Sequence, residues 1–267
     1  MTLFNLILVA LIQGITEFLP VSSSGHLILL PNLTGYDDQG AFIDVAVHVG
    51  TLGAVLLFFR RDVVRGLSGL PRALRGKTDT ANARLAMGLI VSVIPTVLAG
   101  AVLWATGLND AMRSITVIGW TMLIFGLVLY WADQRGPTVK QTDDWSLRDA
   151  AIMGLWQAVA LIPGTSRSGI TITGARMLGY TREDGATLAM LMSIPTIIAS
   201  GVLLGADVAV QADMAAFRDG AIAASLAFLS ALAALSLMMR LLRSVSFTPY
   251  VIYRVILGLI LLAIAYG

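Results

Sequence analysis

Two apolar stretches of this chain stop where a membrane helix would continue. Residues 3–19 run into "PVSSSG" and residues 149–163 into "PGTSRSG", and the apolar pieces beyond, Gly25–Leu33 and Gly169–Leu178, are short. A helix rises about 1.5 Å per residue, so ten residues cover about 15 Å, half of the ~30 Å of hydrocarbon in a bilayer. Each stretch is therefore read as a re-entrant hairpin that enters, breaks and returns to its own side; eight plain, kinked helices are the alternative. Irregular backbone at membrane depth is tolerated only where protein or a water-filled cavity surrounds it. Both breaks are thus expected inside a bundle. Six further segments, about 42–59, 85–104, 114–131, 185–204, 220–239 and 247–266, supply one. Charged residues make up 13% of the chain, well below the ~25% of soluble domains, and no stretch alternates like a barrel strand. The fold class is an all-α polytopic membrane protein with six transmembrane helices plus two re-entrant helical hairpins, in a single membrane domain over 1–267.

Basic residues orient that bundle. Arg60, Arg61, Arg65, Arg72, Arg75, Lys77 and Arg84 share one connection, Arg135, Lys140 and Arg148 a second, and Arg240 and Arg243 flank a third. The positive-inside rule puts all three in the cytoplasm, which leaves both chain ends outside. The first hairpin then enters from outside and the second from the cytoplasm. No signal-peptide cleavage is expected, because no Lys or Arg precedes Arg60 and Gln13 and Glu17 interrupt the first run. The absence of cysteine excludes disulfides and thiolate metal sites.

The two interruptions are related. Gln13, Ser22, Ser24 and Gly25 match Gln157, Ser166, Ser168 and Gly169 at one constant offset, and "SVIPTVLAG" resembles "MSIPTIIASG" further along. Repeat 1 covers about 1–133 and repeat 2 about 145–267. One hairpin plus three crossings is an odd number of passages, so the second copy is inverted. Inverted repeats with discontinuous helices place binding sites near the midplane, with half-helix N-termini facing anions.

The polar residues at the breaks point to such an anion. Gln13 and Glu17 lie one helical turn apart, and an ionisable residue at membrane depth is a functional candidate. A carboxylate beside an amide oxygen suits a hard divalent cation. Ser22, Ser23, Ser24 and Gly25 read individually as a cap and turn, but together they open a half-helix, which is an anion site. Ser23 and His26, three apart, share a face, and the imidazole is suited to acid–base work. His48, in "VAVHVGT", has no polar neighbours in sequence and reads as structural. Arg167, flanked by Ser166 and Ser168, is a permanent cation whose planar fork suits phosphate; its other use is a salt bridge to Glu17. Arg176 and Arg182 read as interfacial or loop residues. Arg254 reads the same way, with reach to the cavity as its alternative because it lies within the last span, and Asp44 begins an earlier span as a supporting partner. The set fits phosphate-transfer chemistry, where positioning and charge stabilisation supply most of the rate.

At these residues the chain closely resembles the undecaprenyl-diphosphate phosphatase family, bacterial enzymes also known for bacitracin resistance. "QGITEFLPVSSSGHL" is similar to the family's glutamate-rich motif, "PGTSRSG" to its second motif, and "FTPYVIYRVILGL" to its C-terminal span, so the likeness covers essentially the whole chain. The resemblance implies hydrolysis of a C55 isoprenyl diphosphate to the monophosphate carrier lipid used for peptidoglycan, with Mg²⁺ or Ca²⁺. It also implies roles: Glu17 and Gln13 for the metal, Ser23 as nucleophile, His26 as catalytic histidine, and Arg167 for the phosphate, with Ser22, Ser24, Gly25, Ser166 and Ser168 around it. Gln13 departs from the glutamate that many relatives carry, which removes one charge from the pair. The implied location is the bacterial inner (cytoplasmic) membrane, with a site open to the periplasm. The implied partners are a polyprenyl diphosphate and membrane lipid but no nucleic acid, with a homodimer left open. A transporter or flippase of the same lipid is the rival function.

Overall fold

The computed structural model describes residues 2–30, 35, 39–108, 112, 114–211 and 214–267, with side chains for all of these except 203–211. Eleven α-helices run through these residues: α1 (Leu3–Thr16), α2 (Ser23–Leu27), α3 (Gly40–Phe58), α4 (Arg60–Ala73), α5 (Ala81–Thr106), α6 (Ile115–Arg135), α7 (Leu147–Val159), α8 (Arg167–Met177), α9 (Arg182–Gln211), α10 (Met214–Leu241) and α11 (Thr248–Tyr266). Six of them, α3, α5, α6, α9, α10 and α11, are long and apolar enough to cross a membrane. They coincide with the six expected crossings. Hydroxyl caps set the start of two of them: Thr80 accepts from Ala83 N, and Ser114 from Val117 N, both at 3.2 Å. Each satisfies one of the amide donors that a helix start leaves free.

Both interrupted stretches are two helices with a non-helical break between them, 17–22 and 160–166. The last part of the expected half-helix Gly25–Leu33 falls at 31–33, outside the described residues, and α2 is described over Ser23–Leu27 alone. Among the described residues only Ser22 and Ser166 hold a positive φ without being glycine, at 70° and 69°. These are the matched positions of the two copies. Such a conformation costs about 1–3 kcal/mol and persists where the surroundings over-determine it.

Close helix contacts set the depth of the breaks. A Cβ on Gly14 of α1 would lie 2.6 Å from Ala227 O, and one on Gly50 of α3 only 2.1 Å from Ala224 O. A stripe of small residues on α10 (Gly220, Ala223, Ala227, Ala231) thus lets α1 and α3 approach backbone to backbone, as small residues do between membrane helices. Leu6, Val9, Ala10, Ile43, Val47, Ala223 and Ala227 fill the seam. In the other copy, Gly154 of α7 meets Ser92 O of α5, where a Cβ would be 2.4 Å away. One turn on, the buried Gln157 amide donates to Thr96 Oγ1 (3.2 Å) and Thr196 Oγ1 (2.9 Å). Both α1 and α7 therefore end beside the middle of longer helices. Gly50→Leu is expected to push α3 off α10, since backbone cannot yield, and to destabilise the protein by about 1–3 kcal/mol. A fall of several degrees in the detergent unfolding midpoint checks this.

The basic connections gather at one end of the molecule. Arg65 pairs with Asp143 at 2.7 Å, the Thr142 hydroxyl donates to Asp184 at 2.7 Å, and Arg243 pairs with Glu183 at 3.5 Å. At that end Arg176, read from sequence as interfacial, is instead almost fully buried. Its guanidinium donates to Asp133 Oδ1 (3.2 Å) and to the Asp133, Gly136, Pro137 and Tyr180 carbonyls. Asp133 also accepts from Arg182 (2.7 Å) and Phe247 N (3.2 Å), so one carboxylate ties α6, α8, α9 and α11 together. Burial, then a hydrogen bond to Asp149 (2.7 Å), pushes the neighbouring Tyr180 phenol well above its usual pKa. Large apolar residues such as Ile252, Ile256, Leu259, Ile260 and Ile264 of α11 remain exposed. That outward belt suits a lipid-facing surface.

Candidate active site

The two breaks clasp each other. Ser168 Oγ donates to Leu19 O at 2.9 Å, and Gly164 N donates to Ser24 Oγ at 3.2 Å. Ser24 and Ser168 are matched positions, so each copy lends one hydroxyl to the other. Within each break the paired serines also meet: Ser22 Oγ lies 3.0 Å from Ser24 Oγ, and Ser166 Oγ 3.2 Å from Ser168 Oγ. Ser166 Oγ further accepts from Gly169 N at 3.2 Å, capping α8. Gly25 is buried, with space for a Cβ closed by Met122 Sδ at 2.7 Å. Of the expected anion-binding group, Ser22, Ser24, Ser166, Ser168 and Gly25 thus shape the clasp.

Around it, α6 and α11 brace the second break. Thr121 Oγ1 donates to Pro163 O at 2.6 Å. Arg254 lies fully buried, and its Nη2 donates to Thr165 O (2.8 Å) and Gly164 O (3.2 Å). Its place within the last span allows an interfacial role or an inward one, and the packing of α11 on α6 turns it inward onto the break.

The clasp brings one carboxylate and one guanidinium together. Glu17, at the end of α1, is buried, and Arg167, the first residue of α8, donates through Nη2 to Glu17 Oε1. The other oxygen, Oε2, accepts from Gln13 Nε2 at 2.7 Å and from Ser23 Oγ at 3.2 Å. Residues 150 positions apart in sequence therefore meet at one point. The salt bridge weighed as the other use of Arg167 is what the resting site contains. Its guanidinium keeps 19% of its side-chain surface exposed, against 5% for Glu17, so the cation faces the open side of the pair.

The two histidines stand on either side. His26 Nδ1 donates to Ser22 O at 2.7 Å, and Nε2 lies 2.6 Å from the Tyr253 hydroxyl, with the two rings stacked. Ser23 is thus oriented by Glu17, while His26, one turn along, is held from α11. His48 differs from its sequence reading. Its Nδ1 donates to Asp44 O at 2.7 Å, and its Nε2 lies 3.2 Å from Gln13 Nε2 and 3.9 Å from Glu17 Oε2. Asp44 supports the site through its carbonyl. The signal for His48 lay in depth, not in neighbours: α3 passes the α1 terminus where both lie against α10.

Glu17 and Gln13 fit a divalent cation. A carboxylate and an amide oxygen are the hard donors that Mg²⁺ and Ca²⁺ take; the Gln13 amide nitrogen lies on Glu17 Oε2, and its Oε1 is buried without a hydrogen-bond partner.

The chain is similar to known proteins over its length. The family model described as bacitracin resistance protein BacA matches residues 6–260. The chain is 79% identical to the undecaprenyl-diphosphatase of Ruegeria pomeroyi (strain ATCC 700808 / DSM 15171 / DSS-3) and 71% identical to that of Jannaschia sp. (strain CCS1), over 100% of each chain. It is 43% identical to the undecaprenyl-diphosphatase of Aliivibrio salmonicida (strain LFI1238), over 98% of each chain.

Proposed function

The chain belongs to the bacitracin resistance protein BacA family, and from that premise we infer that it is a multi-pass membrane undecaprenyl-diphosphatase, hydrolysing undecaprenyl diphosphate to the monophosphate carrier lipid and phosphate. One observation carries the assignment to a site: Ser23 and Arg167, drawn from two breaks, converge on the Glu17 carboxylate. A transporter of the same lipid would use a similar inverted arrangement but has no need of a hydroxyl hydrogen-bonded to a carboxylate.

In this reading Arg167 turns from Glu17 to the diphosphate, its fork matching two phosphate oxygens. The Ser23 hydroxyl, or a water in its place, is aligned by Glu17 Oε2 and adds to the distal phosphorus. Its proton is taken up through His26 as the bond between the distal phosphorus and the lipid monophosphate oxygen breaks. If serine attacks, water then hydrolyses the phosphoserine. His26, held by Ser22 and Tyr253, serves as acid and base for the departing and returning protons. A Mg²⁺ or Ca²⁺ held by Glu17 and Gln13 would neutralise part of the diphosphate charge. Ser22, Ser24, Ser166, Ser168 and Gly25 keep the two breaks in register around that anion.

Support for two re-entrant hairpins in inverted repeats comes from the returning arms. Gly174 of α8 lies against Trp156 of α7, where a Cβ would be 2.7 Å from the indole, and Leu27 and Leu30 join the seam that α1 lines. The gathering of basic connections at one end supports a cytoplasmic face there. The α1 side then opens to the periplasm of an inner-membrane protein, where spent carrier lipid would be met.

Ser23→Ala tests the hydroxyl directly. If it attacks or aligns the attacking water, phosphate release from undecaprenyl diphosphate in detergent is expected to fall by about 10²-fold or more, with the unfolding midpoint unchanged. Full activity would remove Ser23 from the mechanism.

A further inference from the structure

The Gln13 amide, whose oxygen is buried without a partner, has an unexpected companion at its nitrogen. His48 Nε2 meets that nitrogen from α3, and its Nδ1 is fixed as a donor by Asp44 O. Such a carbonyl contact sets the tautomer of metal-binding imidazoles, leaving the other nitrogen with a free lone pair. The amide NH₂ of Gln13 now caps both that lone pair and Glu17 Oε2. Turning the amide over exchanges Nε2 for Oε1 with little change of shape. Three donor atoms then converge: Gln13 Oε1, Glu17 Oε2 and His48 Nε2.

Their spacing is that of ligands on one ion. The Gln13 position is 2.7 Å from Glu17 Oε2 and 3.2 Å from His48 Nε2, and the last two atoms are 3.9 Å apart. Neighbouring ligands on a cation with bonds of ~2.1 Å are separated by roughly 3.0 Å in octahedral and 3.4 Å in tetrahedral geometry. The His48 side chain is 41% exposed, so the point is reachable.

We propose that His48 is the third protein ligand of the divalent cation held by Gln13 and Glu17, making the site a mixed oxygen–nitrogen one rather than an all-oxygen one. This rests on the phosphatase reading of that site. An imidazole ligand favours Mn²⁺ over Ca²⁺, since imidazole suits transition metals and Ca²⁺ takes oxygen.

Mn²⁺ is both a fitting ion and a spectroscopic probe. The chain has two histidines, so pulsed EPR of Mn²⁺ on the purified full-length protein in detergent assigns any imidazole nitrogen to one of them. The expected result is a ¹⁴N imidazole modulation in the wild type and in His26→Gln, lost in His48→Gln, where Mn²⁺ binds about tenfold or more weakly. An oxygen-only spectrum in the wild type, a modulation that survives His48→Gln, or no binding of Mn²⁺ at all overturns the assignment. Phosphate release from undecaprenyl diphosphate, measured on the same wild-type sample, separates the two levels. Release with an oxygen-only spectrum sinks the His48 ligand alone, whereas a sample without release sinks the phosphatase reading.

Discussion

Arg167→Ala is expected to abolish phosphate release from a polyprenyl diphosphate in detergent, a loss of about 10³-fold or more. That is the scale on which an arginine aimed at a transferring phosphoryl group contributes. Arg167 is the permanent cation on the exposed side of the Glu17 pair, and it begins α8, so the helix dipole adds to its charge. Arg167→Lys tests geometry against charge. Lysine keeps the charge but loses the planar fork, so it should recover only a small part of the activity, with the weakness showing in kcat as well as KM. Arg254 is no substitute, because it is wholly buried and its Nη2 is committed to the Gly164 and Thr165 carbonyls. Wild-type rates in Arg167→Ala, with the protein still folded, would show that the diphosphate is held elsewhere.

The crossings were legible because hydrophobic length is a one-dimensional property: about twenty apolar residues suffice whatever their neighbours. The breaks were legible for a related reason, since Pro, Gly and Ser in a row at membrane depth defeat a helix locally. What the sequence could not supply was pairing across the fold. Arg176 looks like a residue at a helix end, and only the approach of α6, α9 and α11 shows that four carbonyls and Asp133 enclose it. His48 looked isolated because its polar neighbours lie on another helix, 35 residues away. Ser24 and Ser168 read in sequence as ligands for an anion, while each is also the other copy's hydrogen-bond partner. A repeat in sequence shows that two positions correspond, not that they reach across to each other's break.

Glu17→Gln should separate catalysis from stability. The amide removes the charge that pairs with Arg167, aligns Ser23 and stands ready for a cation, so phosphate release is expected to fall below detection. It also leaves a largely buried guanidinium facing a neutral group. Removing one partner of a buried ion pair typically destabilises by about 3–5 kcal/mol, because the other charge remains without compensation; the partial exposure of Arg167 places this case at or below the lower end. The unfolding midpoint of Glu17→Gln should accordingly drop, and adding Arg167→Met should restore much of it while activity stays absent. That rescue follows from the pair's geometry alone: with both charges gone, neither is stranded in a low-dielectric interior. Equal destabilisation in the single and double variants would mean that the two side chains are not coupled. The meeting of the two breaks at Glu17 would then be no more than proximity.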